Sequence, residues 1–178
     1  YLNLSFDPTC SPTLYKVGKQ RWKGGSYETS LYYAGNSTEY LVLNIYSELY
    51  NNVTIPDGEA FGRGTTIQIR GDIRDDCGLL PGIPTQNIEF KIIEGANEYS
   101  TASITDLNNG TYATSWDSGQ AALLGWHNIT MNSSWDYYNS SFIEKVNAFY
   151  LGERPELVKV DVMPKQEGWG YNFTFNVT

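Results

Sequence analysis

Apolar and polar residues alternate with a period of two along much of this 178-residue chain. In Asn87–Ile92 the apolar Ile88, Phe90 and Ile92 share one side, and Glu89 and Lys91 take the other. Thr66–Arg70 sends Ile67 and Ile69 inward. Leu41, Leu43 and Ile45 alternate with Val42 and Asn44, and Val158, Val160 and Val162 alternate with Lys159 and Asp161. Phe173, Phe175 and Val177 alternate with Asn172, Thr174 and Asn176. Successive side chains of a strand point to opposite faces, so these runs predict half-buried antiparallel strands. Turn chemistry separates them at Pro56-Asp57-Gly58, Gly62-Arg63-Gly64, Pro81-Gly82, Asn108-Asn109-Gly110 and Gly168-Trp169-Gly170. The single helical candidate, Ser141–Val146, has flanks that read as strand. Many short strands with regular turns predict an all-β chain built as an antiparallel β-sandwich.

One detail narrows the fold. Asp106-Leu107-Asn108-Asn109-Gly110-Thr111-Tyr112 runs from a turn into a strand and resembles the tyrosine corner of immunoglobulin-like sandwiches. In that corner the tyrosine hydroxyl bonds upstream backbone. Two residues past Tyr112 stands Thr114 rather than cysteine, so the antibody-type bridge between sheets is absent.

The polar side of the pattern carries a second message. Nine Asn-x-Ser/Thr sequons begin at Asn3, Asn36, Asn52, Asn109, Asn128, Asn132, Asn139, Asn172 and Asn176, none with proline in the middle. With 15 Asn and 29 Ser plus Thr in the chain, chance gives roughly two or three. A sequon is used only on an exported chain with its asparagine at the surface, so the excess predicts a densely N-glycosylated extracellular protein. Asn172 and Asn176 lie opposite Phe173, Phe175 and Val177, the outer side of their predicted strand. An outward Asn128 likewise places His127 with Ile129 and Met131.

Composition agrees with a folded, exported domain. The chain is 40% hydrophobic and 15% aromatic, with 14 Tyr, enough to build a core. Its net charge of −8 argues against a nucleic-acid partner, whose phosphates need a basic face. The one basic cluster, Lys16, Lys19, Arg21 and Lys23, reads as a solvated loop, with a contact to an anion or acidic sugar as the alternative. No apolar run is long enough to span a bilayer. The chain starts at Tyr1 and shows no signal peptide, which reads as a processed chain or an excised piece. Cys10 and Cys77 either pair as a disulfide in an oxidising compartment or remain two separate thiols; spacing alone leaves both open.

From about Glu39 to Leu151 the chain resembles the immunoglobulin-like domains, of invasin or S-layer type, of archaeal cell-surface proteins. Three passages carry the resemblance. Ile55-Pro56-Asp57-Gly58-Glu59-Ala60-Phe61-Gly62-Arg63-Gly64 leads into the strand from Thr65. Gly71-Asp72-Ile73-Arg74-Asp75-Asp76-Cys77-Gly78 runs through Pro81-Gly82 to Ile88–Ile92. Asn109-Gly110-Thr111-Tyr112 is followed by Gly125-Trp126-His127-Asn128-Ile129-Thr130. The resemblance implies an adhesive, coat or filament role without catalysis. It divides the chain into one sandwich at 39–152 and a second, split or incomplete one made of 1–38 and 153–178. Two strands are not stable alone. The second unit is therefore completed by the N-terminal residues, by further domains of a longer chain, or by a neighbouring copy through strand addition. Leu2, Leu4 and Phe6 alternate with Asn3 and Ser5 and form the candidate assembly strand; an ordinary edge strand is the plainer reading.

Candidate chemistry is sparse. His127 is the only histidine and lies in a predicted strand, where it reads as a packed residue. A triad needs a base beside its nucleophile, and no Gly-x-Ser-x-Gly elbow occurs. Zinc needs more His or Cys than the chain holds. Asp72, Asp75 and Asp76 crowd what reads as one loop and could take calcium, a cation bound by oxygen ligands; a solvated acidic turn is the alternative. Asp106 with Asn108 is a weaker second pair. Trp22, Trp116, Trp126, Trp135 and Trp169 are the rings that could stack on a sugar. The reading that follows is a non-enzymatic structural glycoprotein with N-linked glycans and no required cofactor. It polymerises with copies of itself into a pilus-like filament or S-layer, or sits among neighbouring domains. The competing reading is a carbohydrate-binding or adhesion domain of a larger secreted protein.

Overall fold

The computed structural model describes residues 5–11, 13–31, 33–153, 160–163, 172 and 174–177. Among these the regular structure is strand, apart from one 3-10 turn at Thr85–Asn87. Two five-stranded sheets carry the core. In the first, Thr66–Asp75 pairs antiparallel with Thr111–Asp117 on one side and Tyr50–Ile55 on the other. Thr105–Asp106 lies beyond Thr111–Asp117, and Gly78–Leu79 folds back on the end of Thr66–Asp75. The second sheet runs Asn97–Ser100, Ile88–Glu94, Gly125–Ser133, Ser141–Gly152, Glu59–Gly62, the last joined in parallel. In immunoglobulin lettering the strand order is A-B-E-D in the first sheet and C′-C-F-G-A′ in the second, so the chain forms the expected all-β, immunoglobulin-like sandwich.

The period-two pattern sets which side faces in. Along Thr66–Asp75 the buried positions are Ile67, Ile69, Gly71 and Ile73. Facing them from the second sheet are Phe90, Ile92, Ile129, Met131, Phe149 and Leu151, all nearly inaccessible to solvent. Each such side chain contributes roughly 1.5–3 kcal/mol by leaving water. The sheets approach closely at Gly71, where an added Cβ would lie 2.5 Å from Met131 Sδ and 3.1 Å from the Asn52 carbonyl oxygen.

Tyr112 is fully buried at the start of Thr111–Asp117. Its hydroxyl reaches the Leu80–Ile83 connection that carries the chain from one sheet to the other. Bonding to upstream backbone is what the corner resemblance implies, with two differences. The tyrosine stands on the strand in the E position, not F, and its partners lie about thirty residues upstream rather than a few. Asp106 joins the same loop, accepting from the Gly82 N–H at 3.2 Å and from Asn108 N–H at 2.7 Å. Gly110 completes that turn at φ +85°, and a Cβ there would sit 3.0 Å from the Leu80 nitrogen.

The helical candidate is resolved as strand, since Ser141–Val146 belongs to Ser141–Gly152. That strand bulges where the register shifts between His127 and Ile129. Asn147, at φ 53°, forms the bulge and donates its N–H to Asn128 Oδ1 at 2.8 Å.

Smaller two-stranded pairs lie outside the two sheets. Gly18–Trp22 pairs with Leu41–Ile45, and Gly25–Ser26 with Gly35–Asn36, making one long ribbon. Leu41–Ile45, expected inside the first domain, thus pairs with the N-terminal region, and the first strand of the two sheets is Tyr50–Ile55. Thr9–Cys10 pairs with Thr13–Leu14, and Val160–Met163 with Thr174–Val177. Among the described residues, no strand before Leu49 pairs with either C-terminal strand.

Candidate functional site

The sequons map onto the outside of this frame. Asn36, Asn52, Asn109, Asn132, Asn139 and Asn172 are exposed, and Asn128 is half-buried. Asn176 lies on Thr174–Val177, and Asn3 lies outside the described residues. Asn128 and Asn132 share the outer face of Gly125–Ser133, while His127, Ile129, Met131 and Ser133 point inward. The Asn128 amide is held in place, its Nδ2 donating to Glu144 Oε1 at 2.7 Å. Asn139 Nδ2 similarly donates to Glu48 Oε1.

Asn51 and Asn52 show how the strand sorts identical residues. Asn52 begins a sequon and faces out; Asn51 does not and is buried. Asn51 Nδ2 donates to the carbonyls of Met131 at 3.1 Å and Ser141 at 3.0 Å, and its Oδ1 accepts from Ser133 Oγ at 2.6 Å. It therefore stitches the first sheet to the second with its polar atoms satisfied, as burial requires. Asn51 carries no motif of its own; its usable signal in the sequence is its place one residue out of phase with a sequon on an alternating strand.

Cys10 and Cys77 form a disulfide, with Cα atoms 5.3 Å apart at a sequence separation of 67. It ties the N-terminal segment to the tip of the first sheet, beside Asp75 and Asp76. The three candidate calcium ligands do not converge there. Asp72 and Asp75 belong to the strand Thr66–Asp75 rather than a loop, and alternation sends them to opposite faces. Asp72 accepts from the Thr111 hydroxyl at 2.7 Å. Asp75 accepts from Cys77 N–H at 2.7 Å and from the Tyr138 hydroxyl at 3.4 Å. Asp76 accepts from Ser47 Oγ at 2.7 Å and from the Tyr50 hydroxyl at 3.2 Å. Among the described residues no group of three or more His, Cys, Asp or Glu is gathered to hold a metal. The Ser47 hydroxyl, more than any other neighbour, holds the Asp76 carboxyl below its ordinary range. Burial, with Asp75 alongside, pushes the Tyr138 hydroxyl up to about 12.

Between this tip and the N-terminal segment opens a cavity of about 410 Å³ whose lining includes Tyr15, Tyr46, Asp75, Asp76, Trp135 and Tyr138. Trp135 and Tyr138 stack with centroids 5.4 Å apart and planes 6° from parallel. Of the other candidate sugar-stacking rings, Trp116 is buried in the core and Trp126 is 50% exposed beside Tyr150. Trp22 joins a cluster with Phe6 and Tyr15, and Trp169 lies outside the described residues.

Phe6 of the candidate assembly strand is therefore packed on its own chain, 4.4 Å from Tyr15 and 5.1 Å from Trp22 between centroids. Leu2 and Leu4 lie outside the described residues. The ribbon beyond that cluster is amphipathic. Trp22 opposes Leu41, Gln20 opposes Leu43 and Gly18 opposes Ile45 on one face, while Lys19, Arg21, Val42 and Asn44 share the other. The basic cluster is thus placed along a strand and its flanks, with Lys23 over the Tyr40 ring at 4.5 Å. Leu41 is 72% exposed.

His127 is completely buried and stacks on Phe149 at 4.9 Å, its Nδ1 3.1 Å from the Gly125 carbonyl oxygen. Among the described residues no helix is long and apolar enough to cross a membrane. No protein-family model matches the sequence, and no curated protein is significantly similar to it.

Proposed function

We propose that this chain is a structural, heavily N-glycosylated extracellular protein that assembles with copies of itself into a filament or surface layer. The observation that carries the reading is the ribbon of Gly18–Trp22 and Leu41–Ile45. It stands outside the sandwich with Leu41 and Leu43 exposed on one face. A two-stranded ribbon with an open apolar face is incomplete as a folded unit and invites further strands. The ribbon's other face carries Lys19 and Arg21, opposite in sign to the net charge of −8 on the chain as a whole, so a second copy can also meet the ribbon from that side. Head-to-tail contacts of this kind propagate when they do not close. The exposed sequons and the disulfide support an exported, oxidised setting, and the resemblance to archaeal surface domains supports a cell-surface role.

Negative-stain microscopy of native material tests the reading, with polymers that resist heat and detergent expected. A monodisperse monomer that binds an oligosaccharide array would overturn it in favour of a carbohydrate-binding or adhesion domain. That second reading rests on the stacked Trp135 and Tyr138 in the cavity at the sandwich tip. Deleting Tyr1–Phe6 isolates the donor-strand version, since polymerisation that survives unchanged removes that segment from the assembly.

A further inference from the structure

On the outer face of the second sheet, an exposed asparagine and an exposed ring stand side by side. Asn132, on the central strand Gly125–Ser133, has Phe142 as its register partner on Ser141–Gly152. Directly opposed residues of an antiparallel pair share a face, with Cβ atoms roughly 4.5–5.5 Å apart. Phe142 is 63% exposed, an apolar ring that the protein leaves open. On its other side Asn132 opposes Glu89. A cleft of about 530 Å³ opens there, lined by Gln86, Glu89, Asn132, Ser134 and Ser140 among others. Asn132 thus stands between an uncovered ring and a set of hydrogen-bonding groups.

A pyranose presents the same two surfaces in reverse. Its C–H face is apolar and packs on an aromatic ring, while its hydroxyl rim needs donors and acceptors such as amides, carboxylates and hydroxyls. Asn128 sits on the same face but differs, because its amide already links Glu144 and the Asn147 bulge. We propose that the N-glycan on Asn132 is a packed part of the sandwich. Its first sugar lies C–H face down on Phe142 and turns its hydroxyls toward the Gln86–Glu89 cleft. This rests on the reading of the sequons as glycosylated.

The test uses the full chain made in an N-glycosylating host and in a host without N-glycosylation. Glycopeptide mapping first establishes that Asn132 is occupied. Melting temperatures are then compared for the parent, Asn132→Gln, Phe142→Ala and the double variant. In the glycosylated protein each single change is expected to lower the midpoint by about 2–4 °C, and the double change by no more than either alone. In the unglycosylated protein Phe142→Ala is expected to shift it by less than about 1 °C. Ring-current shifts of the sugar C–H protons at Asn132 should vanish in Phe142→Leu, which keeps apolar bulk without a ring. An occupied site with additive single changes and no ring-current shift overturns this inference while leaving the glycoprotein reading intact. An unoccupied Asn132 overturns both at this position.

Discussion

The Tyr112 hydroxyl donates to the Leu80 carbonyl at 3.2 Å and accepts the Ile83 N–H at 2.9 Å. One phenol from a strand of the first sheet thereby fixes the connection through which the chain passes to the second. Burial raises the Tyr112 pKa, as it must for a group desolvated in its neutral form. Tyr112→Phe keeps the ring and removes the hydroxyl, leaving a buried Ile83 N–H unpaired. The expected loss is about 1–3 kcal/mol, read as a lower denaturant midpoint at unchanged m-value.

Asn51 and Asn52 predict opposite phenotypes for neighbouring asparagines. Asn51→Ala leaves the Ser133 hydroxyl and the Met131 and Ser141 carbonyls without their partner between the sheets. It should destabilise the protein by about 2–4 kcal/mol. Asn52→Gln removes only an exposed sequon, so the stability of protein made without N-glycans should stay within about 0.5 kcal/mol. Intact-mass analysis of secreted protein should show one glycan fewer for Asn52→Gln and no change for Asn51→Ala.

These residues also show how far the sequence could be read. Alternation identified Thr66–Arg70 and Asn87–Ile92 as strand, the greater part of Thr66–Asp75 and Ile88–Glu94, because each buries one side against the core. It also identified Leu41–Ile45 as a strand but not its partner, since that strand pairs in a ribbon outside the two sheets. Periodicity reports that a strand has two unlike faces, not which strand it meets. The Asp72, Asp75 and Asp76 cluster misled for a related reason: adjacency in sequence suggested convergence, and the pleat separates two of them. Phe142 carried no signal, since its significance depends on Asn132 opposite it in register. The disulfide was open for the same reason, as only the fold brings Cys10 to Cys77.

Tyr138 makes stability fall at alkaline pH. Its hydroxyl is pushed up to about 12, against about 10 in an unfolded chain. Below about 10 the group is protonated in both states, and the contribution is fully present. Between about 10 and about 12 the unfolded chain has released this proton while the folded one keeps it, so stability declines as pH rises. Tyr138→Phe should flatten that decline, leaving the parts due to Tyr112, Tyr50 and Lys91, whose pKa values are also raised. Chemical denaturation at a series of pH values from about 8 to about 12 measures it; identical slopes for the two proteins would remove Tyr138 as the source.

The disulfide sets what the N-terminal segment can do. Cys10–Cys77 closes a loop with 67 residues of separation, and in the chain-entropy account such a link stabilises by about 4 kcal/mol. Yet among the described residues the sandwich core, from Leu49 to Leu151, draws none of its buried hydrophobic residues from the segment before Cys10. Reduction, or the pair Cys10→Ser with Cys77→Ser, should therefore release the N-terminal segment while the two sheets persist. Limited proteolysis should then cut between Ser5 and Lys23, leaving a resistant fragment that retains the near-ultraviolet signal of Trp116. If the whole chain instead unfolds on reduction, the ribbon is integral to the sandwich rather than tethered to it.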